Sequence, residues 1–170
     1  MNPQQHRPIA VYGATGHTGQ FVVQEAQRRG LPVVAVGRSA ARLDEVFAPG
    51  VTRRIADLAD PTSLEQAFVG CAVVINCAGP FLDTAAPVAQ AALRAGCHYI
   101  DVTAEQASAQ ASLADFDAPA RAAGKVVIPA AAFYGGLADL LASALARAGP
   151  IDEILSLIHI SEPPRRTPIS

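Results

Sequence analysis

Apolar residues in this chain come in short runs divided by longer stretches of mixed polarity. The runs are IAVYG, PVVAVG, VTRRIA, AVVINCAG, HYIDV and KVVIP, most of them rich in valine or isoleucine. Runs of this kind predict strands buried on both faces of a parallel sheet. Between them the period changes. Gly19, Val22, Val23 and Ala26 recur at helical spacing while Gln24, Gln27 and Arg28 fall elsewhere, which predicts a helix with one apolar stripe. Gly30 and Pro32 end that helix, and Gly70, Gly96 and Gly124 stand at corresponding places before later strands. A last helical stretch, GGLADLLASALARAG, follows the final strand-like run and stops at Gly149-Pro150.

Strands alternating with helices predict an α/β fold, a doubly wound parallel sheet of about six strands with helices on both faces. A length of 170 residues fits one domain. The net charge of −2 offers no basic face to nucleic acid, and no apolar run reaches the roughly 20 residues of a membrane span. The start, MNPQQHRP, has no apolar signal core, so residues 1–7 are expected to form a flexible arm and the protein to be cytoplasmic. Cys71, Cys77 and Cys97 make no CxxC, and His6, His17, His98 and His159 are scattered, so the thiols read as small apolar residues rather than as a metal set.

The strongest local signal is IAVYGATGHTGQFVVQ. Gly13, Gly16 and Gly19 lie between a strand and a helix. The first lets the chain turn off the strand, the second lets the backbone approach a pyrophosphate, and the third lets helix and strand pack closely. The helix N-terminus then presents free N–H groups to the phosphates. Thr15, His17 and Thr18 are further donors, with His17 otherwise read as a plain loop residue. A dinucleotide-binding Rossmann fold follows from this context.

Dinucleotide choice is read at the end of the second strand, where NAD-selective sites carry an acid. Here VAVGRSAARL has no acid. The expectation is therefore NADP(H) in preference to NAD(H), with Arg38 and Ser39 on the 2′-phosphate and Arg42 assisting. Asp57 is placed either to approach the adenine or to cap a turn or helix ahead of Pro61. Cys77, Ala78, Gly79 and Pro80, after the fourth strand, are expected beside the ribose and phosphates.

Beyond the fifth strand, Asp101 and Glu105 are the acids placed to orient a substrate or move a proton, or else to serve as caps. Thr103 and Gln106 read as caps, TAEQ having the form of a capping box. The Tyr–Lys pair of the short-chain dehydrogenases cannot exist: Lys125 is the sole lysine, and Arg121 stands four residues before it.

Together, GATGHTG, VGRSAARL, VINCAGPF, PVAQAALRAGCHYIDVTAEQ and VIPAAAFYGGLADLLA resemble the NAD(P)-binding domain of the saccharopine dehydrogenase-like family, with its trans-acting enoyl reductase relatives. The resemblance runs from about Ile9 to Ala146. It departs at Ala104-Glu105, where the family has Gly-Glu. It implies a cofactor domain over residues 8–150, followed by a second domain that binds a small-molecule substrate and takes part in oligomerisation. Residues 151–154 fit the entry into that domain, which is then missing. From Leu155 the run LSLIHISEP is encoded in order by CTG TCT CTT ATA CAC ATC TCC GAG CCC, which resembles the transposase end and adapter of sequencing libraries. Residues 155–170 are therefore expected to be a non-native tail. The resemblance implies hydride transfer at a C=N or C=C bond in the full-length parent, and a fragment that does not turn over. The alternative is a non-enzymatic NADP sensor or scaffold of the atypical short-chain dehydrogenase type.

Overall fold

The computed structural model describes residues 7–147 and Gly149; the expected domain entry at 151–154 and tail at 155–170 lie outside the described residues, as do positions 1–6 of the N-terminal arm. Among the described residues, six strands form one sheet: β1 (Ile9–Tyr12), β2 (Val33–Gly37), β3 (Thr52–Ile55), β4 (Val73–Asn76), β5 (His98–Asp101) and β6 (Val127–Ile128). All pairings are parallel, in the spatial order β3-β2-β1-β4-β5-β6. The helices are α1 (His17–Arg28), α2 (Ala40–Val46), α3 (Pro61–Phe68), α4 (Phe81–Arg94), α5 (Gln106–Ala123) and α6 (Ala138–Ala146), the last preceded by a π-helical turn over Phe133–Leu137. The order reverses between β1 and β4, which makes the doubly wound Rossmann arrangement expected from the alternation.

Side chains alternate across the sheet and divide the core in two. Val11, Val33 and Ala35 face α1 and α2, where Val23, Ala26 and Leu43 meet them. Tyr12, Val36, Val74 and Tyr99 face the opposite layer, built from Leu64 and Phe68 of α3, Val88 and Ala92 of α4, and Phe116 of α5. Of the predicted helix stripe, Gly19, Val23 and Ala26 are buried. Gly30, Gly70, Gly96 and Gly124 take φ of 68°, 81°, 71° and 60°, the left-handed conformation their positions required. Cys71 and Cys97 are fully buried, and the Cys97 thiol donates to the Cys71 and Phe68 carbonyls at 3.2 and 3.3 Å.

The sheet is covered unevenly. β3 is an edge strand with Thr52 and Ile55 exposed, so the expectation of burial on both faces fails there. An edge strand has a neighbour on one side only, and its Arg53 and Arg54 reach out to backbone carbonyls at Ala48 and Val69. On the α1–α2 face, Val73, Ile75, His98 and Ile100 are only half-buried, because those helices stand over β1, β2 and β3. Arg7, at the end of the arm, donates to the Gly70 and Cys71 carbonyls at 3.3 and 2.5 Å.

Two helices run through proline. α4 contains Pro87 and α5 contains Pro119. An interior proline removes one helical hydrogen bond and costs about 3 kcal/mol. In α4 the burial of Thr84, Ala85, Val88, Ala89, Ala91 and Ala92 offsets that cost.

Candidate functional site

The glycine loop is built by sterics. Gly13 has φ 74°, and a β-carbon on it would lie 2.9 Å from the Ala78 β-carbon and amide nitrogen. Gly13 therefore both turns the chain and lets the β1 loop touch the β4 loop. A β-carbon on Gly19 would lie 2.3 Å from the Gly13 carbonyl oxygen and 2.8 Å from the Ala14 α-carbon. Gly16 is the N-cap of α1 and offers no capping side chain, so the first turn keeps its N–H groups open. α1 begins at His17, so this residue belongs to the helix and not to the loop; its ring stands edge-on to Phe21 with centroids 5.0 Å apart.

The carboxyl ends of β1, β2, β3 and β4 frame a cavity of about 350 Å³. Among the predicted contacts, Gly13, Thr15, Gly16, Arg38, Asp57, Cys77, Ala78 and Gly79 line it. Tyr12, Gly37, Leu58 and Thr84 complete the wall. His17, Thr18, Gly19, Ser39, Arg42 and Pro80 are not in the lining. Ser39 is the N-cap of α2, its hydroxyl accepting the Arg42 N–H at 3.3 Å. The Arg42 guanidinium pairs with Glu45 at 2.6 Å. Asp57 lines the cavity, and its Oδ1 caps a turn by accepting the Ala59 N–H at 2.9 Å. The helix cap ahead of Pro61 is Asp60, which accepts from Thr62 and Ser63. Burial pushes the Cys77 thiol up to about 12, so it stays protonated at neutral pH and is no thiolate nucleophile. Grooves of about 320 and 590 Å³ beside α5 lie away from the strand ends.

A buried polar row stiffens the far wall. Tyr12, Asn76 and Asp101 are register partners across β1, β4 and β5. Asn76 Nδ2 donates to Tyr99 Oη at 3.2 Å and to Thr84 Oγ1 at 3.3 Å, while its Oδ1 accepts the Ala78 N–H at 3.0 Å. Tyr99 donates to Asp101 Oδ2 at 3.0 Å. Asp101 Oδ1 accepts N–H groups from Thr103 at 3.1 Å and Ala130 at 2.8 Å. Burial and the neighbouring Asp101 raise the Tyr99 phenol, which keeps it a donor.

Glu105 acts at a distance in sequence. Its carboxyl oxygens accept the N–H groups of Phe81 and Leu82, each at 2.8 Å. These are the first residues of α4, whose N-cap Pro80 has no capping side chain. Glu105 thus caps α4 from the β5 loop. The expected capping box at Thr103 and Gln106 does not form. α5 starts only at Gln106, and Thr103 Oγ1 accepts the Glu105 N–H at 2.9 Å, which closes a turn before the helix. Both weak catalytic candidates, Asp101 and Glu105, therefore have their carboxyl groups bonded to backbone amides. Tyr12 and Thr84 as lining residues, and the α4 amides as partners of Glu105, have no local signal in the chain.

This geometry fits a dinucleotide: a glycine-rich loop, an open helix N-terminus, and a cavity whose walls carry one guanidinium. The family described as the saccharopine dehydrogenase NADP binding domain matches residues 9–128. A human saccharopine dehydrogenase-like oxidoreductase is 32% identical over 123 residues, covering 59% of this chain and 29% of its own length. A relative of that description from Arabidopsis thaliana is 30% identical over 162 residues, covering 82% of this chain and 36% of its own length. A trans-acting enoyl reductase from Mycobacterium ulcerans is 30% identical over 110 residues, covering 60% of this chain and 26% of its own length. The chain thus spans about a third of the length of these curated relatives. Among solved structures, saccharopine dehydrogenase from Saccharomyces cerevisiae shares the fold, with a TM-score of 0.70 at 19% identity over 84% of this chain and 31% of that one. Triphenylmethane reductase from Citrobacter sp. in complex with NADP(H) has a TM-score of 0.52 at 28% identity over 68% of this chain and 44% of that one.

Two substitutions test the geometry. Gly19→Ala must push α1 off β1, and is expected to lower the unfolding free energy in urea by about 1–3 kcal/mol. Glu105→Gln places an amide NH₂ against a backbone N–H, and is expected to cost about 1–3 kcal/mol in the same measurement without any ligand. An unchanged urea midpoint in Glu105→Gln would remove the capping role.

Proposed function

The chain belongs to the family of saccharopine dehydrogenase NADP binding domains, and from that premise we propose that it selects NADP(H) over NAD(H) for an oxidoreductase that transfers hydride at a C=N or C=C bond. The observation that carries the cofactor preference is Arg38. It stands on the cavity wall just past β2, where an acid would favour the unphosphorylated ribose. A guanidinium there binds a 2′-phosphate through paired N–H donors and repels no part of it. Ser39 and Arg42 are secondary in this reading, since each already has a partner on α2.

The chemistry of the parent rests on the family. Names of relatives include both saccharopine dehydrogenase-like oxidoreductases and an enoyl reductase, which motivates the choice between C=N and C=C substrates. In this reading the described residues hold the cofactor, and the substrate is bound by chain beyond them. Asp101 and Glu105 support the crevice rather than move protons, because their oxygens already accept from backbone N–H groups and, at Asp101 Oδ2, from the Tyr99 hydroxyl.

Calorimetric titration of the chain with NADPH and NADH tests the preference. NADPH is expected to bind more tightly, and Arg38→Ala to weaken NADPH by about tenfold or more while leaving NADH nearly unchanged. Equal affinities, unaltered in Arg38→Ala, would reject it. With imine and enoyl substrates, the chain alone is expected to give no NADPH oxidation above background at 340 nm, the absorbance band of the reduced nicotinamide.

A further inference from the structure

Tyr12 ends β1, one residue before the glycine loop. Its side chain is almost wholly inside, at 6% exposure, with its ring edge-on to Phe68 and centroids 6.4 Å apart. The residue lines the cavity, yet its hydroxyl has no hydrogen-bond partner among the described residues. Asp57 lines the same cavity from the β3 end. One of its oxygens is held by the Ala59 N–H at 2.9 Å, and the other is unpaired among the described residues. Leu58 and Ala78 add apolar surface to the same wall. Burial and the Asp57 charge raise the Tyr12 phenol, against a smaller opposite effect of Arg38, so it is a neutral donor at neutral pH.

At Tyr12 and Asp57 the cavity therefore presents a donor and an acceptor that the described residues leave unused. A ligand acceptor within reach of the Tyr12 hydroxyl would supply the hydrogen bond that no described residue gives it. Adenine carries the matching pair on one edge, an amino group beside a ring nitrogen. We infer that Tyr12 selects the base of the bound dinucleotide: its O–H donates to an adenine ring nitrogen while Asp57 accepts from the neighbouring 6-amino group. Hypoxanthine replaces that amino group with a carbonyl oxygen, which faces the Asp57 carboxylate without a proton between them. The ring of Tyr12 holds its place through Phe68, and the hydroxyl carries the selectivity. This rests on the dinucleotide reading above and adds a base preference to it.

The test uses the whole chain and three probes: NADPH, 2′,5′-ADP, and the hypoxanthine analogue of NADPH, each titrated by calorimetry. Wild type is expected to bind NADPH at least about tenfold more tightly than the hypoxanthine analogue. Tyr12→Phe keeps the ring and is expected to weaken NADPH and 2′,5′-ADP alike by about tenfold, with the hypoxanthine analogue and the ligand-free thermal midpoint unchanged. Asp57→Asn, which supplies an amide donor, is expected to narrow the preference for adenine. If wild type binds NADPH and Tyr12→Phe binds it equally well, the Tyr12 assignment is overturned while the cofactor reading stands. If wild type binds none of the three probes, both are overturned.

Discussion

Gly19 lies so close to the glycine loop that a β-carbon on it would sit 2.3 Å from the Gly13 carbonyl oxygen. That approach sets the position of α1 against β1, and α1 in turn fixes where its open N–H groups point. Gly13 repeats the device on the other side, where contact with Ala78 ties the β1 loop to the β4 loop. Two loops and the start of α1 are thereby held around one cavity before any polar contact is counted. A substitution at either glycine must move backbone rather than a flexible side chain tip, so the loop geometry has little room to drift.

The opposite wall is set by hydrogen bonds. Asn76, Tyr99 and Asp101 are buried, and each bonds to another or to backbone. Within the low-dielectric interior such a row is strongly favourable only when every member has a partner. Its ends reach the cavity: Asn76 holds the Ala78 N–H, and Thr84 bonds the Ala78 carbonyl at 2.5 Å. Glu105 adds the cap on α4 that the proline at its N-cap cannot supply. Steric closure at β1 and polar closure at β4 and β5 together make a crevice shaped without a ligand, which is the condition for tight binding at low ordering cost.

The parts of this arrangement visible in the sequence are those governed by local backbone physics. The strand runs, the glycine spacing and the left-handed helix ends depend on near neighbours, and each stands where the pattern placed it. What the sequence concealed depends on contacts distant along the chain. Glu105 bonds residues 23 and 24 positions away, so its role as a cap for α4 has no local signature. TAEQ has the form of a capping box, but the helix begins too late for the box to close. Tyr12 reads as one more apolar residue in a strand, and only the arrival of Asp57 from β3 gives its hydroxyl a context. The exposed edge at β3 was hidden for the same reason, since IAVYG and VTRRIA differ less in composition than in the number of neighbours they acquire.

The uneven covering of the sheet bears on where the parent's chemistry would lie. α6 buries none of its residues, and Leu140, Leu141 and Leu145 are 57–68% exposed. The half-buried face of β4 and β5 is likewise apolar at Val73, Ile75 and Ile100. Apolar surface on this scale is disfavoured in water by about 25 cal/mol per Å². The strand part of this surface lies at β4 and β5, on the far side of β1 from Arg38 and Asp57, so this face of the sheet is covered by helices at the proposed adenosine end and bare at the other. In a family whose members carry about three times the length of this chain, a substrate-binding body seated on that bare side would meet the cofactor at its reactive end. The completeness of one end of the crevice and the exposure of the other accord with the proposal that cofactor recognition is built within this domain while substrate is bound by chain beyond the described residues.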